Sequence, residues 1–151
     1  MLFSVIIFII DQLIKIFIGF SVNTNSSFTV INNFLYISHV HNYGAAFSIL
    51  YGNRLFLVIV SVFALCCIYY FLLRNNKFEW YGVISYSLLI GGILGNLFDR
   101  IIYGYVVDYL DFYIFGYNFP VFNLADVCIV CSVLLIVFDT LRGDCGENKS
   151  R

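Results

Sequence analysis

Asp108 and Asp126, set in Val-Val-Asp-Tyr and Phe-Asn-Leu-Ala-Asp, are the two residues of this chain whose type and setting most suggest chemistry. A carboxylate costs on the order of 3 kcal/mol or more at a bilayer centre, so acids in lipid-loving chains usually line a cavity or pair. When two share a site, like-charge repulsion and partial desolvation raise one pKa, and the pair holds one proton near neutrality. The charged member can then draw a proton from water while the protonated member donates to a scissile carbonyl oxygen. A tetrahedral gem-diol forms and expels the amine. Such a pair would hydrolyse peptides, and which acid begins protonated is open at this stage.

The elements that must position these acids are membrane spans. The chain has 151 residues, 62% hydrophobic and 11% charged, with a mean hydropathy of +0.92, which suits one membrane-embedded domain over 1–151 rather than a soluble one. About 20 mainly apolar residues cross the hydrocarbon core as a helix. Leu55 to Leu73 and Trp80 to Phe98 qualify without a charge; Leu2 to Phe20 carries Asp11, Gln12 and Lys15, and Val121 to Phe138 carries Asn123 and Asp126. Four spans are expected, at about 2–20, 55–73, 80–98 and 121–138. The first is read as a mature helix, because it lacks a basic leader and a small-x-small cleavage site. Arg74, Lys77, Arg142, Lys149 and Arg151 fall on one side against Arg54 and Arg100 on the other, so both termini are expected in the cytoplasm. The first loop, roughly 21–53, and the third, roughly 99–121, then face outward.

On this topology the polar residues gather at one level. Asn42 precedes the second span, Asn96, Asp99 and Arg100 end the third, Asp108 lies beyond, Asn123 and Asp126 open the fourth, and Lys15 lies in the outer half of the first. Convergence from four segments is what a pocket looks like in a sequence. Blander readings stand beside it. Asp99 and Arg100 make an interfacial ion pair equally well, and Asp11 and Lys15, four apart, read as a structural pair. Asn123 could cap the fourth span, with Asp126 as a favourable first-turn acid. Gly91, Gly92 and Gly95 are explained by close helix packing. Gly44, Ala45 and Ala46 fit a tight turn or a backbone groove for a peptide.

Other chemistries find less support. A net charge of −1 gives no basic stripe, so no nucleic-acid partner is expected. His39 and His41 point to one side of a strand, but no second His–carboxylate cluster and no H-E-x-x-H accompanies them; no metal or cofactor is expected. Cys66, Cys67, Cys128 and Cys131 lie in apolar helices, and with Cys145 they are read as unpaired, Cys128 and Cys131 as small buried hydrophobes. There is no G-x-S-x-G.

Five blocks occur in order: Asp11-Gln12-Leu13-Ile14-Lys15; Asn42-Tyr43-Gly44-Ala45-Ala46-Phe47; Gly91 through Arg100; Gly104-Tyr105-Val106-Val107-Asp108; and Phe119 through Asp126. Together they resemble, nearly end to end, the bacterial lipoprotein signal peptidases (signal peptidase II), aspartyl peptidase family A8. Ile14 and Tyr109 depart from it, where a small hydroxyl residue and a phenylalanine are frequent. The resemblance implies an all-α integral protein of the bacterial inner membrane. It would have four transmembrane helices and a small outward-facing β-type cradle from the first loop. It implies an endopeptidase that cuts the signal peptide from a diacylglyceryl-modified prolipoprotein just before the lipidated cysteine, among membrane lipids, and that globomycin inhibits. By motif position, Asp108 and Asp126 are the catalytic pair, and Asn42, Gly44, Asn96, Asp99, Arg100 and Asn123 orient it or hold substrate.

The third loop is rich in aromatics, including Phe112 and Phe115, and is expected to lie on the membrane and gate entry. The rival readings are a proton-coupled transporter or channel subunit and a non-catalytic interaction protein. A proton path would need polar groups through to the inner side, where the second span and the inner fourth span are apolar.

Overall fold

The computed structural model describes residues 2–45, 49–74 and 80–147, with side chains of the last helix described as far as Leu141. Ala46, Phe47, Lys77, Lys149 and Arg151 lie outside these residues, and the side chains of Arg142 and Cys145 lie beyond those described. Four helices are long and apolar enough to cross a membrane: α1 (Leu2–Ser21), α2 (Arg54–Arg74), α3 (Trp80–Ile102) and α4 (Leu124–Glu147), the last through its Leu124–Leu141 stretch. Their outward faces are apolar, as lipid requires; Phe17, Phe63 and Phe138 are exposed.

α3 is the hub and packs against α1, α4 and α2. Its glycines make that possible. A Cβ on Gly92 would stand 2.5 Å from the Ala125 carbonyl oxygen of α4, and one on Gly95 would stand 2.5 Å from Asp11 Oδ2 of α1. α3 also runs one turn past Phe98, which keeps Asp99 and Arg100 within the helix. It stops at Gly104, left-handed at φ 86°, whose N–H donates to the Asp99 carbonyl. The Arg54 guanidinium covers two more orphan carbonyls there, those of Arg100 at 2.6 Å and Ile101 at 2.7 Å.

The cradle expected in the first loop is present and is completed by the third. β1 (Ser27–Ile31), β2 (Leu35–Asn42), β3 (Val106–Ile114) and β4 (Tyr117–Asn118) form an antiparallel meander in that order. β2 and β3 pair with a register shift between Ile37 and Val40, beyond which Val40 lies opposite Asp108 and Asn42 opposite Val106. Alternation along β3 sorts its residues. Val107 and Tyr109 enter a core with Ile18 of α1 and Val22 just beyond its end, while Val106 and Asp108 line a cavity on the other face. Within the third loop, Val106–Ile114 is thus a paired strand. Phe112 packs against Phe34 and Phe122, with ring centroids 5.5 and 5.7 Å away, and only Phe115 stands fully exposed at the hairpin tip.

Candidate active site

Asp126 is held by the start of α4, where the four orphan N–H groups of a helix need acceptors. Each finds one. Asn123 N–H donates to Asp126 Oδ2 (3.2 Å), Leu124 N–H to the Tyr109 hydroxyl (3.1 Å), Ala125 N–H to Asp11 Oδ1 (3.0 Å) and Asp126 N–H to Asn123 Oδ1 (3.0 Å). Asn123 therefore is the cap the sequence suggested. It is also more than a cap, because its amide nitrogen donates to Asp108 Oδ1 at 2.7 Å and to Asn96 Oδ1 at 3.2 Å.

Asp108 is brought in by β3 and is buried. Asn42, at the end of β2, donates to its Oδ2 at 2.9 Å, and Asn96 of α3 donates to Asp126 Oδ1 at 2.7 Å. Three asparagines thus fix both carboxyl groups against one cavity of about 470 Å³, which Asn42, Asn96, Arg100, Asp108 and Asp126 also line. The cavity's other walls are apolar, with Phe122, Val127, Ile129 and Val130 carrying it down α4 to an outward face. Burial first, and the Asp126 charge second, push the Asp108 carboxyl up to about 7 against the Asn42 and Asn123 hydrogen bonds.

Gly44 closes the rim. Its N–H donates to Asn42 Oδ1 at 2.9 Å, and its carbonyl accepts from Arg100 Nη2 at 2.9 Å. Arg100 also donates to the Asn96 carbonyl. The expected Asp99–Arg100 pair is not what forms, because residues adjacent on a helix point in different directions. Asp99 turns instead toward α1, where Lys15 lies 2.8 Å from its Oδ2 and Gln12 donates to its Oδ1 at 3.0 Å. The Asp11–Lys15 pair forms at 2.8 Å as expected, but Lys15 serves both acids and donates to Asn96 Oδ1 as well. Asp11, Lys15 and Asp99 are all buried, which demands such pairing.

Two positioning groups escaped the sequence reading. The Asp11 carboxylate had been assigned only to Lys15, yet its second oxygen anchors α4 one residue before Asp126. Tyr109 stood out only as a departure from a family pattern, and its hydroxyl receives Leu124 N–H. The cysteine expectation is corrected in part: Cys128 is buried, whereas Cys131 is exposed and borders the cavity, since it lies on the outward side of α4.

Comparison with known proteins now bears on this geometry. Residues 3–142 match the family model described as signal peptidase (SPase) II. This chain belongs to that family. Lipoprotein signal peptidases of Staphylococcus aureus, in strains JH9 and Newman, are 39% identical to it over 99% of this chain and 91% of their own length. Two solved bacterial membrane enzyme structures, obtained by the in meso method at 2.3 and 1.9 Å, superpose with TM-scores of 0.87 and 0.83. Both are 38% identical over 93% of this chain, and the alignments cover 86% and 90% of those chains. The chain is a multi-pass membrane protein of a peptidase family, which sets the transporter reading aside.

Proposed function

We propose that this protein is an aspartyl endopeptidase that removes the signal peptide from diacylglyceryl-modified prolipoproteins, cutting before the lipidated cysteine. The observation that carries the reading is the meeting of Asp108 and Asp126 at one cavity, each carboxyl group restrained by asparagine amides. In this reading Asp108 is the protonated member, because burial and its neighbour's charge hold its proton to about pH 7. Asp126 takes a proton from water, whose oxygen adds to the scissile carbonyl as Asp108 protonates the carbonyl oxygen. The gem-diol collapses as Asp126 returns that proton to the leaving nitrogen. The C–N bond breaks, and a diol proton restores Asp108. The products are the signal peptide carboxylate and the free amine of the lipidated cysteine.

The cavity suits that substrate. A cysteine anchored by acyl chains presents its peptide bond at the membrane boundary, and the apolar wall along α4 can receive lipid without lifting it into water. Arg100, Gly44 and Asn42 form a polar rim where an extended peptide backbone would bind. In this reading the site faces the outer side of the bacterial inner membrane, both termini are cytoplasmic, and globomycin inhibits by occupying the same cavity. One domain, 1–151, carries all of it.

The test is cleavage of a diacylglyceryl-modified prolipoprotein by the detergent-purified protein, beside Asp108→Asn and Asp126→Asn, with and without globomycin. Asparagine keeps the size but cannot act as a base. Wild type is expected to cleave before the lipidated cysteine and both folded variants to lose about 10²-fold or more. Normal cleavage by either variant overturns the dyad.

A further inference from the structure

A second cavity, of about 340 Å³, shares no lining residue with the first. It lies where β2 meets α1 and the end of α3, and His39, His41, Tyr105 and Thr24 are among the residues that line it. His39 and His41 are the chain's two histidines, and on strand β2 they share a face. Their Nε2 atoms are 3.2 Å apart.

The tautomers follow from what each nitrogen meets. His39 Nδ1 lies 2.8 Å from the Val22 carbonyl oxygen, which can only accept, so Nδ1 carries the hydrogen and Nε2 of the neutral ring is a bare lone pair. The short contact then requires the hydrogen on His41 Nε2, and moving it to Nδ1 bares the second lone pair without any change of charge. His41 is fixed by Tyr105, stacked on it at 3.7 Å and 17°.

We propose that His39 and His41 chelate one divalent late transition-metal ion, zinc or copper in class, between their Nε2 atoms. Two Zn–N bonds of about 2.0–2.1 Å at a tetrahedral angle separate the nitrogens by roughly 3.3 Å, which the observed 3.2 Å matches. The His39 Nδ1–H bond to a backbone carbonyl is the outer partner that orients a metal-ligating imidazole. Among the described residues no group of three or more His, Cys, Asp or Glu side chains is set to hold a metal. Water from the second cavity therefore completes the coordination, and the ion exchanges readily.

The test uses the full-length protein purified in detergent through a tag that contains no histidine, titrated with Cu²⁺ and followed by pulsed electron paramagnetic resonance. One equivalent is expected to bind with echo modulation from two imidazoles, and Zn²⁺ is expected to displace it. Since the chain has no other histidine, that pattern identifies the pair without any variant. His41→Asn is expected to weaken binding by at least about 100-fold, more than the loss of an outer partner does. Modulation from one imidazole or none in wild type overturns the chelate, as does unchanged affinity in His41→Asn.

Discussion

Asn123 and Asp126 cap one another: the Asn123 side-chain oxygen Oδ1 accepts from the Asp126 N–H at 3.0 Å, and the Asp126 carboxylate accepts from the Asn123 N–H at 3.2 Å. The reciprocal pair is a capping box in which Asp stands at the position usually held by Glu or Gln. The bland and the functional readings of this stretch are therefore one arrangement. The cap that starts α4 also restrains the Asp126 carboxyl group, and the amide left over on Asn123 reaches Asp108.

Asn123→Ser separates these duties. A serine hydroxyl still caps α4, but it has no amide to give Asp108 and Asn96. Thermal unfolding in detergent is expected to move little, while turnover falls about tenfold, the upper end of what a hydrogen bond between neutral groups contributes. Equal loss in Asn123→Ser and Asn123→Ala, with stability falling in step, would mean that the cap alone matters.

Activity should fall as pH rises through about 7, where the Asp108 proton is lost and both acids are charged. Stability carries the same signature. An acid whose native pKa of about 7 exceeds its ordinary 3.8 binds its proton more tightly when folded. Its contribution is thus greatest at low pH, declines between those two values and is constant above. The pH profile of kcat/KM in detergent checks this, and a rate independent of pH from about 6 to about 9 excludes Asp108 as the proton donor.

The spans were legible because lipid imposes length and apolarity on a helix, and the acids were legible because lipid makes them costly. Partners were harder to read. Sequence spacing pairs Asp11 with Lys15, but only the α1–α3–α4 packing shows that Asp99 competes for the same ammonium and that Asp11 Oδ1 belongs to α4. Adjacency suggested Asp99 with Arg100, which the helix geometry forbids. The pairing of the two outer loops into one sheet was not legible either, since strands distant in sequence carry no mark of their partner, and β3 had read as part of an aromatic-rich loop on the membrane.

Lys15→Met keeps the stem length and removes the charge. It leaves Asp11 and Asp99 buried without a cation, for which a loss of about 3–5 kcal/mol is expected. Thermal unfolding in detergent measures it. Adding Asp99→Asn should return part of the stability, and no recovery would show that the ammonium matters for its hydrogen bond to Asn96 instead.

Gly95→Ala tests the close approach at the hub. The new methyl would stand 2.5 Å from Asp11 Oδ2 and 3.3 Å from the Ala125 Cβ, so α1 or α4 must move away. Overpacking of this kind costs about 1–3 kcal/mol. Because Asp11 anchors α4 beside Asp126, turnover should fall as well, and wild-type melting with wild-type activity would refute the fit.

Phe115 sits at the tip of the β3–β4 hairpin with φ 51°, its side chain fully exposed, beside exposed Ile114 and Tyr117. It touches no core, so Phe115→Ser should leave thermal stability in detergent within about 0.5 kcal/mol. Phe112→Ser should cost about 1–3 kcal/mol, less than truncating a fully buried phenylalanine, because Phe112 packs between Phe34 and Phe122. In vesicles the two differ in a second way. If the tip dips into the headgroup layer, its ring gains about 1.5–3 kcal/mol there, and Phe115→Ser should raise KM for lipidated substrate about tenfold without changing kcat. Wild-type KM in vesicles would mean that the cradle holds substrate by its paired strands alone, and that the aromatic tip has no part in entry.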